Sequence, residues 1–166
     1  MDIKPVLEKL EKSDDFLKWK SKNKDTYFSY AFKIPQEMQE DWHIGYYNKD
    51  RDKITTFVVT GNGIDIKPED EIFKEERQVN GINLSNLKLS FEEIMDKARE
   101  FQAKTYPKEK SVKTIAILQS HPSLGDVWNI TYITEAFNTL NMKIDASSGN
   151  VLDHKIASIF DFKTKD

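Results

Sequence analysis

The apolar positions of this chain change period several times, and each change marks an element. Between residues 4 and 22, Val6, Leu7, Leu10, Phe16 and Leu17 fall on one stripe at helical spacing. Pro5 suits the first helical turn, where its missing N–H costs nothing. Ser13-Asp14-Asp15 is a polar interruption that can break this helix in two. The period then drops to two. Residues 27–33, YFSYAFK, alternate as a strand with Phe28, Tyr30 and Phe32 on one face, and Pro35 ends it. Strands at 41–48 and 53–60 follow. Gly61-Asn62-Gly63 then signals a hairpin into a short strand at 64–67, because glycine and asparagine tolerate positive φ. The stretch 68–88 is charged and then Asn-rich, and reads as a connector. Ser90-Phe91-Glu92-Glu93 fits a capping box, with Leu89 and Ile94 placed as a hydrophobic staple. Phe91, Ile94, Met95, Ala98 and Phe101 stripe a helix that ends near Tyr106, before Pro107. Strands are predicted at 112–119, 127–134 and 138–145, and at 150–159 after the turn Asp145-Ala146-Ser147-Ser148-Gly149.

Both halves therefore read helix, strand, strand, strand, turn, strand. At an offset of 86, Trp42, Ile44 and Tyr46 meet Trp128, Ile130 and Tyr132, Ile54 meets Leu140, Val58 meets Ile144, and Gly63 meets Gly149. Upstream the offset is 85, with Val6 against Phe91, Leu10 against Met95 and Ala31 against Ala116; near the end it is 87, with Ile72 and Phe73 against Ile159 and Phe160. The ungapped match from Trp42 to Gly63, carrying rare residues and a turn glycine, favours duplication over chance. One helix on a short sheet buries too little alone, and two such units can share a core.

The second half resembles a PepSY domain, through SFEEIMDKAREF (90–101), VWNITY (127–132) and above all the hairpin MKIDASSGNVL (142–152). The likeness covers about residues 88–160. The first half matches only through the repeat, and its turn VVTGNGI lacks the Asp-Ala pair. The resemblance implies a helix on an antiparallel sheet. It also implies binding or regulation rather than catalysis, as in propeptides of secreted peptidases and in cell-envelope proteins. Thus the expected fold is α+β with two tandem repeats at 1–76 and 89–166, joined at 77–88, each one helix packed on a 3–4-stranded antiparallel sheet of PepSY or cystatin type.

Composition changes this picture mainly by exclusion. The 166 residues carry 25 Lys and Arg against 28 Asp and Glu, a net charge of −3, so there is no electrostatic footprint for nucleic acid. Cysteine is absent, which removes disulfides, thiolate catalysis and cysteine-ligated zinc. No apolar run reaches the length of a membrane span. A cytoplasmic location is expected if Met1 is the natural start, and an extracytoplasmic one if a signal segment was removed.

Candidate chemistry is sparse. His43, His121 and His154 lie far apart without helical pairing, so no metal and no cofactor is expected. Ser120, His121 and Asp126 are close in sequence but lack a nucleophile elbow. Asp145, Ser147 and Asp153 offer oxygen ligands without the count or spacing of a calcium loop. Asp145 and Gly149 read better as a structural turn. The acidic run PEDEIFKEE (68–76) reads as a solvated face. Strand alternation places Tyr47, Phe57 and Val59 opposite the Trp42 face, where the aligned positions of the second half are Ile133, Lys143 and Asp145. That extra apolar face needs a cover: the other repeat or the 68–88 connector is the first expectation, and a protein or peptide partner, such as the peptidase that the resemblance implies, or a second copy of the chain is the functional alternative. The contrasting expectation is a small-molecule cavity of cystatin or NTF2 type between helix and sheet, lined by Tyr27, Phe28, Tyr30 and Trp42.

Overall fold

Two helices, not one, begin the chain: α1 at Ile3–Glu11 and α2 at Asp14–Lys22. The break is chemical. The Ser13 hydroxyl donates back to the Leu10 carbonyl at 2.7 Å and accepts from the Phe16 amide at 3.2 Å, so it closes one helix and caps the next. The break also rotates the apolar stripe: Phe16 is buried and Leu17 is 54% exposed, so Leu17 leaves the predicted face. The structure, a computed structural model, describes residues 1–36, 41–71 and 79–163; the paired Ile72 and Phe73, and most of the acidic run, lie outside them.

The strands are β1 Thr26–Lys33, β2 Trp42–Asn48, β3 Lys53–Thr60, β4 Gly63–Ile66, β5 Asp70–Glu71, β6 Ser111–His121, β7 Gly125–Thr134, β8 Asn138–Asp145 and β9 Val151–Ser158. A third helix, α3, spans Phe91–Thr105 between β5 and β6. Its capping box is present in full: the Glu93 amide donates to Ser90 Oγ at 3.1 Å, and the Ser90 amide donates to Glu93 Oε2 at 2.7 Å.

The class is α+β and the pairing is antiparallel throughout, but the expectation of two separate helix-on-sheet units is corrected by the topology. There is one sheet, in the order β4-β3-β2-β1-β6-β7-β8-β9, with β5 beside β3. The first strand of each half pairs with the other, Ala31 opposite Leu118 and Lys33 opposite Ala116. Closing this seam removes two edges that would otherwise expose unpaired amides.

All three helices pack on one side of the sheet. Phe16 of α2 lies 5.3 Å from Phe57, and Phe91 of α3 lies 5.2 Å from Trp42 and 5.3 Å from Trp128, centroid to centroid. Trp42 and Trp128 are themselves 6.1 Å apart and each 1% exposed. The small residues Ala31 and Ala116 on the seam strands leave room for these rings. Lys33, buried beside them, sets its ammonium 5.0 Å over Trp42 and 5.7 Å over Phe91. The Asp2 carboxylate ties two helix starts together, accepting from the Ile3 amide at 2.8 Å and the Phe91 amide at 2.9 Å. A carboxylate there also complements the positive ends of both helices.

Two register details redirect side chains. In β1 the pairing jumps from Phe28–Tyr46 to Tyr30–Gly45, leaving Ser29 as a bulge. Phe28 therefore faces the helices, while Tyr30 and Phe32 face away; the three do not share a face. In β3, Val59 pairs with Trp42 as Ile144 pairs with Trp128 in β8. Ile144 thus corresponds to Val59 rather than Val58, and Met142 to Phe57. The one-residue slip turns the presumed outer positions of β3 inward.

Candidate functional site

The residues expected to form a partner face are not one surface. Phe57 pairs with Ile44 and Val59 with Trp42, so both point into the helix-covered core, at 0% and 3% exposure. Tyr47 does point to the other side, opposite Tyr27 and Ile54, but it is only 5% exposed. Its hydroxyl donates to Asp52, and its ring meets Tyr27 at 5.6 Å. The lining proposed for a cavity is likewise divided: Phe28 and Trp42 are core, whereas Tyr27 and Tyr30 lie across the sheet.

The Tyr47–Asp52 bond has a measurable consequence. That bond, burial and the Asp52 charge push the Tyr47 pKa up from 10.0 to about 12. Below pH 10 this tyrosine is neutral whether the chain is folded or not. Between about 10 and 12 the unfolded chain loses the proton first, so the stabilisation tied to Tyr47 drains away as pH rises through that window. Denaturant titrations across it are expected to show a shallower alkaline loss of stability for Tyr47→Phe than for the parent chain. An unchanged slope would remove Tyr47 from the alkaline transition.

On the side of the sheet away from the helices, the register assembles Tyr30, Phe32, His43, Val58 and Ile117. Phe32 and His43 meet edge to face at 5.4 Å, and the Tyr30 hydroxyl shares a 2.6 Å hydrogen bond with Thr56. Farther along the same face the surface turns polar through Asn129, Thr131, Asn141 and Lys143, where Asn141 donates to Thr131 at 2.9 Å. Among the described residues no helix packs on this side.

The outer edges of the sheet are unequal. β4 is four residues long, while β9 runs for eight and exposes Leu152 and Ile156. Asp153 and Lys155 interrupt that apolar edge, which discourages strand addition.

A cleft of about 310 Å³ opens on the helix side, between α3 and the strands β6 and β7. Met95, Arg99 and Gln102 of α3 form one wall; Lys110, Ser111 and Tyr132 form another. Gln36 closes the end with a two-point clasp on Thr114, accepting from its amide and donating to its hydroxyl, each at 3.0 Å. Among the described residues the lining holds two cationic side chains and no carboxylate. Nothing in the periodicity marked this place. Its residues come from distant segments, and each reads singly as an ordinary solvated position.

The other candidates are committed to structure. Asp126 Oδ2 accepts from the Asn83 amide and from Asn86 Nδ2, both at 3.0 Å, and so pins the connector to the sheet. His121 Nδ1 accepts from the amides of Ser123 and Leu124 in its own turn. Ser120, His121 and Asp126 therefore do not assemble into a triad. His154 Nδ1 is 2.7 Å from the Tyr106 hydroxyl, and its ring packs at a tilt against Phe101, 4.9 Å between centroids. Asp145 takes the Ser147 amide at 3.3 Å and the Ser148 hydroxyl at 2.8 Å, while Gly149 has φ +77°. These carboxylate oxygens close the turn. Among the described residues no cluster of three or more His, Asp or Glu is placed to hold a metal, and no helix is long and apolar enough to cross a membrane.

No family model matches the sequence, and no curated protein sequence matches it. A crystal structure of a protein from Clostridium difficile 630, provisionally assigned as a lipoprotein, has a similar fold. It is 13% identical, with TM-score 0.55, over 87% of this chain and 91% of that one. At that identity the likeness is one of fold: helices on one side of an antiparallel sheet.

Proposed function

We propose that the protein is a non-enzymatic binding module of PepSY type. It holds a protein or peptide partner, such as an extracytoplasmic peptidase, on the helix-free face of its sheet. The observation that carries this reading is the half-buried strip of Tyr30, Phe32, His43 and Ile117 around the buried Val58, on a face with no described helix over it. An apolar patch of this kind, bordered by amides and hydroxyls, has the make-up of a protein interface. Three further observations support the reading. His121 and Asp126, which with Ser120 are the nearest thing to a catalytic set, are used in separate structural hydrogen bonds. The two halves meet in mirror order about the β1–β6 seam, which fits descent from one duplicated unit. The structural neighbour's provisional assignment as a lipoprotein fits an envelope setting.

The test is site-specific photocrosslinking in the native host. A photoreactive side chain at Phe32 or Ile117 is expected to trap one common partner, and Val58→Lys to abolish the adduct. A control at Leu17, exposed on the helix side, is expected to trap nothing in common with them. Equal trapping from Leu17, or none from Phe32 and Ile117, would overturn the reading.

A further inference from the structure

Tyr46 and Tyr132 stand four residues beyond Trp42 and Trp128, on β2 and β7, and each is 4% exposed. Their hydroxyls fare differently. That of Tyr46 donates to Glu11 Oε1 at 3.1 Å, inside the fold. That of Tyr132 makes no hydrogen bond among the described residues. The carboxylate on α3 at the position matching Glu11 is Asp96, and it is turned to Arg99 instead. Burying a phenol with an idle donor is costly unless something outside the fold can meet it. No sealed side-chain polar atom among the described residues lacks a partner, so the Tyr132 hydroxyl reaches the open space of the cleft it lines.

Among the described residues the charged groups of the lining are both cationic, Arg99 and Lys110, and Arg99 gives one nitrogen, Nη2, to Asp96. The Arg99 charge acts on Tyr132, opposing the upward push that burial gives its pKa. Met95 and Pro35 add apolar wall.

We propose that this cleft binds a small organic carboxylate. The carboxylate takes the Tyr132 hydroxyl as donor and the Arg99 guanidinium as its fork-shaped partner, with Lys110 as a second positive charge. A short apolar body lies against Met95 and Pro35. Inorganic phosphate would use the charges but not these walls. The site is on the helix side of the sheet, so it stands or falls separately from the partner face.

The experiment is an NMR titration of the full chain, following the Tyr132 ring and the Arg99 side chain. Butyrate is the probe, with neutral butyramide and inorganic phosphate as comparisons. Butyrate is expected to give saturable shifts of both signals with a millimolar Kd, as suits so small a ligand. Butyramide is expected to give none, and phosphate to bind about tenfold more weakly. Tyr132→Phe is expected to weaken butyrate about tenfold, a loss matching one hydrogen bond to a charged group. It is expected to leave the melting temperature unchanged, because the hydroxyl has no internal partner; Arg99→Gln, on an exposed helix position, is expected to abolish the shifts. The proposal is overturned if butyrate does not saturate, if butyramide matches it, if phosphate binds as tightly, or if Tyr132→Phe binds like the parent.

Discussion

Trp128→Ala is expected to destabilise the chain by about 3–5 kcal/mol, and Trp42→Ala by a similar amount, the usual range for deleting a fully buried large aromatic. Both rings are 1% exposed and share Phe91 as a neighbour, so each deletion opens a cavity that few side chains can move to fill. The informative quantity is their coupling. The tryptophans touch at 6.1 Å in an edge-to-face pair, and each single change already forfeits that contact. The double variant is therefore expected to cost less than the sum of the singles by about 1 kcal/mol, the scale of an aromatic pair beyond its area. Urea denaturation of the four proteins gives the cycle. One cooperative transition is expected in each, because the seam between β1 and β6 makes the two halves one core. Additive costs, or two transitions with each variant shifting only one, would show the halves to be separate folding units.

That seam is also the clearest limit of what was legible in the sequence. Signals confined to a few neighbouring residues read true: the Ser90–Glu93 capping box, the Gly61-Asn62-Gly63 hairpin, the Asp145–Gly149 turn and nearly every strand. Such features depend on local hydrogen bonds whose partners are fixed by spacing. Which strand edges meet is decided by pairing across some 85 residues, and no local period encodes it. Face assignment failed for a different reason. Side chains in a strand alternate with period two, so one bulged residue reverses everything after it. Ser29 does this in β1, and the slip between β3 and β8 does it for Phe57 and Val59. Matching the halves at a constant offset in β3 hid that slip, and with it the fact that both residues are core. The cleft was illegible throughout. Its residues come from the segment after β1, from α3, the following turn, β6 and β7, and only the unmet hydroxyl of Tyr132, visible beside the satisfied one of Tyr46, marks it.

On the helix-free face one substitution tests the fold and the bulge together. Gly45 lies opposite Tyr30, and a methyl group placed on it would sit 1.9 Å from the Tyr30 ring. The ring therefore lies flat across the glycine, covering the strand where it has no side chain of its own. That arrangement exists only because the Ser29 bulge turns Tyr30 outward. Gly45→Val is expected to eject the ring and to break its bond to Thr56. The cost is about 3 kcal/mol, from overpacking of 1–3 kcal/mol and a lost hydrogen bond worth about 1 kcal/mol. Valine itself suits a strand, so the damage lies in the clash rather than in the backbone. It follows that Tyr30→Ala should rescue Gly45→Val. The double variant is expected to be no less stable than Tyr30→Ala alone, a coupling of about 3 kcal/mol in the stabilising direction, read by thermal or urea denaturation. If Gly45→Val is as damaging with alanine at position 30 as with tyrosine, the ring is not seated on the glycine. The outward turn of β1, on which Tyr30 and Phe32 depend for their place in the partner face, would then be lost with it.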